Sequence, residues 1–278
     1  MIVALYCKRP IPAGFDLRRY GSTDDGGTLN MIPIGSHPLW HPVFETLGYA
    51  AGYAVFRRLR ARRGDAAMEP QQWSVLAAAV VGALIGSRLL ELAEQWPTVL
   101  DAWQSGRMLA LLFAPGGKTI AGGLLGGWLG AEIVQRMSGT RRWMGDLLAL
   151  PLCVGIAVGR IGCLLAGLAD DTYGSPTSLP WAANFGDGIG RHPVQVYEIL
   201  FLALVGILVS AKVNLPEGAR FRLFFASYLA WRTAIDFLKP EPQIHGLNLI
   251  QWPCLAGVLL LVSDWAFSRK GNREQTSA

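Results

Sequence analysis

Long, uninterrupted apolar runs are the feature that most constrains how this chain folds. Several of them approach or exceed the roughly 18–20 residues that a helix needs to cross a bilayer. Charged residues make up only 16% of the 278 residues, whereas they make up about a quarter of an ordinary soluble domain. The sequence therefore predicts an all-α integral membrane protein with several transmembrane helices.

Seven transmembrane spans are predicted from these runs. They cover residues 39–56, 73–95, 119–135, 144–168, 194–213, 221–238 and 247–267. The segment 97–117 is predicted as a loop, because its apolar piece, MLALLFA, is too short to cross the bilayer. The predicted organisation is a polar arm (1–38), a membrane domain (39–268) with an outer loop (169–193), and a tail (269–278).

Positive charges predict the orientation of the spans, because cytoplasmic loops collect Lys and Arg. With the amino terminus outside, the cytoplasmic segments are 57–63, 136–142, 211–222 and 269–278. These segments hold fourteen Lys and Arg residues, and the three outer loops hold four. The count favours an outer amino terminus and a cytoplasmic carboxyl terminus. Four basic residues of the arm weigh against it: Lys8, Arg9, Arg18 and Arg19.

The net charge of +5 fits this loop pattern and does not indicate a nucleic-acid-binding protein. The cysteines also lack the close paired spacing of a zinc or redox motif. They are Cys7, Cys153, Cys163 and Cys254. We therefore expect no metal, no cofactor and no nucleic-acid partner. Three histidines near predicted span ends are expected to be solvated: His37, His41 and His245.

Arg160, inside the fourth span, is the charge that is hardest to explain. An arginine at the centre of a membrane helix costs about 2.5–3.5 kcal/mol on insertion scales, so it usually pairs or has a function. No acid lies within one turn of Arg160. Arg88 with Glu91, and Arg232 with Asp236, are spaced to share a helix face. For these two pairs, internal neutralisation is the alternative to a role in binding.

Arginines in apolar surroundings suit an anionic group carried by a lipid. The guanidinium binds phosphate through a planar fork and stays charged where Lys can lose its proton. We expect Arg160 and Arg232 to bind the phosphate of a phospholipid and to stabilise charge on a departing phosphate ester. Charges at this depth also suit a transporter, but the chain shows no internal repeat.

Three segments resemble the signature region of the prolipoprotein diacylglyceryl transferase family. They are GRIGCLLAGL at 159–168, YGSPTSLPWA at 173–182 and RHPVQVYE at 191–198. GSRL, GGKTIAGGLLGG and WRTAIDFLK also match in type and order. The resemblance covers about residues 40–265 and implies a multi-pass protein of the bacterial inner membrane.

The resemblance implies a reaction between a membrane lipid and a peptide. A diacylglyceryl group moves from phosphatidylglycerol to the thiol of the lipobox cysteine in a prolipoprotein signal peptide, and glycerol phosphate leaves. Arg160 and Arg232 match two family arginines, of which Arg160 binds the lipid, and Asp236 stands where the family usually has glutamate. The expected substrate-binding residues are Arg88, Gly159, Arg160, Gly162, Gln195, Tyr197, Glu198 and Asp236. For the three in 195–198, bracing of the fourth span is the alternative.

Ala121 is the main departure from the family pattern, which has a histidine there in many members. A thiol with an ordinary pKa of ~8.5 is mostly protonated at neutral pH, so another base is needed. His192 is the nearest alternative in the sequence and is our expected catalytic base. Cys163 likewise replaces an asparagine, and Leu168 a glutamate. Two alternatives stay open: a paralogue with a different acceptor, and a non-catalytic lipid-binding or carrier protein.

Overall fold

A computed structural model describes residues 32–34, 37–64, 68–112, 119–138, 145–211, 215–240 and 245–276. Most of these residues are helical. The helices are α1 (Trp40–Arg63), α2 (Pro70–Glu94), α3 (Trp96–Gln104), α4 (Met108–Leu112), α5 (Ile120–Ser138), α6 (Gly145–Ala166), α7 (Val194–Ser210), α8 (Ala219–Ile235) and α9 (Gln251–Thr276). Residues 1–31 of the predicted arm lie outside the described residues.

A helix lies at each of the seven predicted spans, so the helical prediction is confirmed. Within the described residues, two segments are long and apolar enough to cross a membrane: Pro70–Glu94 and Gly145–Asp170. The apolar parts of α7 and α9, Val194–Ser210 and Gln251–Ser263, are shorter. The number of bilayer crossings and their orientation stay predictions.

Two features differ from the predicted organisation of the chain. The predicted loop 97–117 contains most of helix α3, which has a proline in its first turn, where the missing N–H costs nothing. A small sheet is also present. Its strands are β1 (Ile32–Pro33), β2 (Ala183–Asn184) and β3 (Gly190–Arg191). β1 pairs parallel with β2, and β2 pairs antiparallel with β3. Strands of two residues carry no periodic pattern, so the sequence did not predict them.

The described helices belong to two compact units. The first contains α1, α6 from Leu147 onward, the loop that follows α6, and α7. The second contains α2 to α5, α8 and α9. Each unit carries part of the predicted set of charged residues.

Glycines allow α1 and α6 to pack closely in the first unit. A Cβ atom at Gly48 would lie 2.6 Å from the backbone oxygen of Gly155, and one at Gly162 would lie 2.6 Å from the Cβ of Phe44. Carbon atoms do not tolerate such distances, so glycine at these positions is what permits the approach. The first turns of α1 are thereby placed beside the last turns of α6.

The same device joins α2 and α5 in the second unit. A Cβ at Gly126 would lie 2.2 Å from the backbone oxygen of Gly82, and one at Gly122 would lie 2.4 Å from that of Gly86. The small-residue face predicted for the third span is therefore confirmed as a helix contact. Ala121, next to this face, is only 1% exposed.

Candidate functional site

Arg160 is paired with an acid from another helix. Its Nε atom lies 2.8 Å from a carboxylate oxygen of Glu198, which begins the second turn of α7. Both side chains are buried, with 6% and 3% of the residue exposed. No acid lies within one turn of Arg160, and its partner Glu198 is the last residue of the signature region. The segments GRIGCLLAGL and RHPVQVYE therefore meet in space.

A second group of side chains adjoins this pair. A terminal nitrogen of Arg160 lies 3.7 Å from the sulfur of Cys163, one turn further along α6. The same sulfur lies 3.9 Å from Nδ1 of His41 in the first turn of α1. Nδ1 of His41 is in direct contact with a carboxylate oxygen of Asp170. We refer to His41, Cys163 and Asp170 as the His–Cys–Asp cluster.

His41, predicted to be solvated near a span end, has a side chain that is 43% exposed, but it also contacts Asp170 and Cys163. Sequence reasoning missed the cluster for a physical reason. Its members lie in different parts of the chain and meet only through the close approach of α1 to α6. Gly162, which permits that approach, lies in the segment GRIGCLLAGL, but a glycine alone does not indicate which helix packs against it.

Gln195 and Thr172 connect the start of α7 to the cluster. Thr172 donates a hydrogen bond of 2.5 Å to the second carboxylate oxygen of Asp170, and Gln195 Nε2 donates to Thr172 Oγ1 at 3.3 Å. Gln195 is 1% exposed, and its Oε1 accepts no hydrogen bond in the described part of the chain. The predicted substrate-binding Gln195 thus lies beside the cluster and also braces the loop.

His192 and Tyr197 form a separate aromatic group with Trp181. Trp181 Nε1 donates to the Tyr197 hydroxyl at 2.7 Å, and His192 Nδ1 lies 3.4 Å from the same oxygen. Burial lowers the pKa of His192 below its ordinary value of 6.5, because the imidazolium loses hydration. The imidazole is therefore neutral at pH 7, as a proton acceptor must be.

The remaining loop is held by Asp187 and Arg191. Arg191 donates to one carboxylate oxygen of Asp187 at 2.7 Å, and its other terminal nitrogen lies 2.7 Å from the second oxygen. The guanidinium also stacks 5.0 Å above the ring of Tyr173. Burial alone would raise the pKa of Asp187, but the hydrogen bond and charge of Arg191 outweigh it and lower the pKa below 3.8.

The second unit holds the other predicted charges, and each arginine there pairs with the acid three or four residues after it. Arg232 lies 3.2 Å from Asp236, and Arg88 lies 3.1 Å from Glu91. Arg88 also donates to the backbone oxygen of Leu111 in α4. The internal neutralisation considered from the sequence is therefore present in both pairs.

The chain matches a known family model over most of its length. The model described as prolipoprotein diacylglyceryl transferase covers residues 31–266. The chain belongs to this family. A relative from Geobacter sulfurreducens is 30% identical over 230 residues, which cover 80% of this chain and 84% of the relative. A relative from Dehalococcoides mccartyi is 31% identical over 253 residues, which cover 84% and 91%. Both relatives are named phosphatidylglycerol–prolipoprotein diacylglyceryl transferase.

Membership confirms the resemblance predicted from the signature segments, and the matched region agrees with the predicted range of about 40–265. The prolipoprotein diacylglyceryl transferase family is a family of membrane-bound transferases. The long apolar helices of this chain are consistent with that class.

Proposed function

We propose that this protein transfers a diacylglyceryl group from phosphatidylglycerol to the lipobox cysteine thiol of a prolipoprotein. The observation that carries the proposal is the buried Arg160–Glu198 pair, which brings together the two most specific family segments. The name shared by the relatives supports the same reaction. The sulfur–carbon bond of a thioether forms, the carbon–oxygen bond to phosphate breaks, and glycerol phosphate leaves.

Arg160 is the proposed phosphate-binding residue. A guanidinium has five N–H donors in a fixed fork, so it can hold a phosphate while Glu198 orients it through Nε. Charge that develops on the leaving phosphate oxygen is stabilised by a cation already fixed in place. Gly159 is open on the side where a Cβ would stand, since no heavy atom lies within 4 Å. Gly162 instead serves helix packing.

Arg232 is the second proposed catalytic arginine, oriented by Asp236 four residues later. Its support is the match of WRTAIDFLK to the family pattern and its burial at 7% exposure. Arg88 is a proposed substrate-binding residue, and its bonds to Glu91 and Leu111 give it a structural role as well.

His192 is the proposed catalytic base, because its lowered pKa keeps the imidazole neutral at pH 7. Tyr197 positions it through the 3.4 Å contact of the hydroxyl with Nδ1. Gln195 offers a buried oxygen beside Thr172, which suits the hydroxyl groups of a glycerol head group. No metal or cofactor is required by this scheme.

The proposed setting is the bacterial inner membrane, crossed seven times, with the amino terminus outside and the tail 269–278 in the cytoplasm. In this topology the loop 169–193 covers the site from the outer face, and the arm 1–38 precedes the membrane domain 39–268. The partners are phosphatidylglycerol, other membrane lipid and the prolipoprotein signal peptide. A reporter fused after residue 268 should be active only in the cytoplasm; periplasmic activity contradicts the orientation.

A paralogue with the same lipid site and another acceptor is the second candidate. The observation that favours it is Ala121, buried at 1% exposure where many family members carry a histidine. Transfer to a different thiol-bearing acceptor would leave Arg160 with the same role.

Complementation tests the proposal. A bacterium depleted of its own transferase is supplied with this chain, and lipidated prolipoprotein is measured. We expect rescue by the native chain and loss of rescue with Arg160→Ala. Arg136→Ala is the matched control, because Arg136 forms an exposed pair with Glu132 in α5. Rescue by Arg160→Ala contradicts the assigned role. Stable insertion without any rescue favours the paralogue.

A further inference from the structure

The His–Cys–Asp cluster carries metal-binding atoms that the proposed reaction does not use. Nδ1 of His41, the sulfur of Cys163 and a carboxylate oxygen of Asp170 all lie within 4.8 Å of one another. Thiolate, imidazole and carboxylate are the three donor types that Zn²⁺ takes in proteins. Three protein ligands with an open fourth position are the pattern of a catalytic zinc site.

We propose that His41, Cys163 and Asp170 bind a zinc ion. The bound thiolate of Cys163 and the carboxylate of Asp170 supply two negative charges, which balance the dication. Arg160 adds a positive charge 3.7 Å from the sulfur. The carboxylate of Glu198, 2.8 Å from Arg160, offsets that charge, so the site does not carry an excess of positive charge.

The surroundings of the cluster resemble the outer shell of a metal site. Ligating histidines usually face a carboxylate with their second nitrogen, and ligating carboxylates are themselves hydrogen-bonded. Nε2 of His41 lies 3.9 Å from one carboxylate oxygen of Glu45, and the other oxygen of Glu45 accepts a hydrogen bond from the Tyr49 hydroxyl. Thr172 donates to the oxygen of Asp170 that faces away from His41. The hydrogen bond from Thr172 orients Asp170, and the carboxylate of Glu45 lies near the second nitrogen of His41.

The three side chains of the cluster differ in exposure. The side chain of His41 is 43% exposed, whereas that of Asp170 is 6% exposed. Cys163 is buried as well, at 7%. A fourth ligand can therefore approach past His41 while the other two ligands stay in a dry environment.

This inference rests on the proposed function and deepens it. A thiol that coordinates zinc is deprotonated outright, and the thiolate is the nucleophilic form. The acceptor cysteine would bind at the open position, where the metal would favour its thiolate, and His192 would accept the proton. Its sulfur would then attack the glyceryl carbon of phosphatidylglycerol as the bond to the phosphate oxygen breaks. Zinc would thus supply the thiol activation that Ala121 cannot.

The test measures metal binding directly on the full chain in detergent or nanodiscs, in a Cys7→Ser background. Zinc is loaded, excess is removed, and zinc per chain is determined by mass spectrometry; Co²⁺ is loaded in parallel to detect a sulfur-to-cobalt charge-transfer band. We expect one zinc per chain. Cys163→Ala, His41→Ala and Asp170→Asn should each weaken binding at least about tenfold. Cys153→Ser and Cys254→Ser are matched controls, because both residues are buried thiols outside the cluster.

The outcomes separate the two proposals. Loss of zinc and of the cobalt band in Cys163→Ala, with both kept in the two controls, supports the site. Zinc that binds equally to native chain and Cys163→Ala is an adventitious ion only, and it overturns the site. A folded native chain without zinc overturns it too. Lipidation by a chain that holds no zinc overturns the zinc proposal and leaves the transferase proposal intact. Zinc binding without any transfer supports the zinc site and contradicts the transferase proposal.

Discussion

Arg160 in α6 and Glu198 in α7 form a buried ion pair, with 2.8 Å between Nε and the carboxylate oxygen. We predict that Glu198→Gln destabilises the protein and abolishes transfer. Breaking a buried pair by removing one partner costs about 3–5 kcal/mol, because the other charge stays buried. A thermal unfolding curve and the lipidation assay measure the two effects.

The double variant Arg160→Met with Glu198→Leu separates stability from function. Replacing both partners of a buried pair by apolar residues is often neutral or stabilising by about 1–4 kcal/mol. We therefore expect a melting temperature near that of the native chain together with no transfer. A double variant that still transfers the lipid would show that Arg160 does not bind the phosphate.

Gly126→Ala tests the close packing of α2 and α5. The added Cβ would lie 2.2 Å from the backbone oxygen of Gly82, and backbone cannot move aside as a flexible side chain can. We expect a loss of about 1–3 kcal/mol, in line with other overpacked sites. Gly123→Ala is the control, because its Cβ would lie 3.7 Å from the Cβ of Ser87, an ordinary contact. Equal melting temperatures for the two variants would refute this packing.

The helices of this protein can be predicted from the sequence more readily than the contacts of its site. The apolar runs predicted the helices because a helix needs a minimum length to cross a bilayer, and the length of an apolar run can be read from the sequence. Arg232 with Asp236, and Arg88 with Glu91, were visible as pairs because a spacing of three or four residues places side chains on one helix face. The spacing of the glycines in α5 likewise indicated a helix contact.

The Arg160–Glu198 pair and the His–Cys–Asp cluster were not predictable in that way. Glu198 reaches Arg160 only because the loop 169–193 returns the chain so that one face of α7 meets α6. No local rule states which face that is. His41 reaches Cys163 only because Gly162 permits the close approach of α1, and partner choice across a helix interface is a tertiary property.

Asp146→Ala tests how α8 begins. The two carboxylate oxygens of Asp146 accept hydrogen bonds from the backbone N–H groups of Gly218 and Phe221, at 2.8 and 3.0 Å. Asp146 thereby caps the start of the helix with two acceptor oxygens, and loss of such a cap costs about 0.5–2 kcal/mol. We expect a lower melting temperature for Asp146→Ala and a smaller loss for Asp146→Asn, which keeps one acceptor oxygen. No change in either variant would argue against the cap.

Asp187 makes the stability of the folded protein depend on pH. Its pKa is lower in the folded protein than in the unfolded chain, because Arg191 outweighs the effect of burial. The unfolded chain therefore binds the proton more tightly. The stabilisation is fully present above the pKa of Asp187 in the unfolded chain, about 3.9, and is lost as the pH falls through the lower pKa of the folded protein. We expect Asp187→Asn to lower the melting temperature at neutral pH and to flatten its fall below about pH 5.

A matched control for this loop pair is Asp101→Asn. Asp101 and Arg107 lie 2.8 Å apart, but both side chains are about two-thirds exposed, at 69% and 66%. Exposed pairs contribute about 0–1 kcal/mol, so the variant should leave the pH profile unchanged. If Asp101→Asn and Asp187→Asn alter the profile alike, the effect does not come from the buried geometry of Arg191.

His192 is expected to shape the acid limb of the rate profile. Its pKa lies below 6.5 because burial disfavours the imidazolium, so the neutral base prevails at pH 7 and is lost as pH falls through that pKa. Transfer by the native chain should therefore decline as the pH falls through a pKa that lies below 6.5. His192→Gln should be slower at neutral pH and should lack that decline, because no imidazole remains to titrate. A decline that persists in His192→Gln would show that a group other than His192 removes the proton.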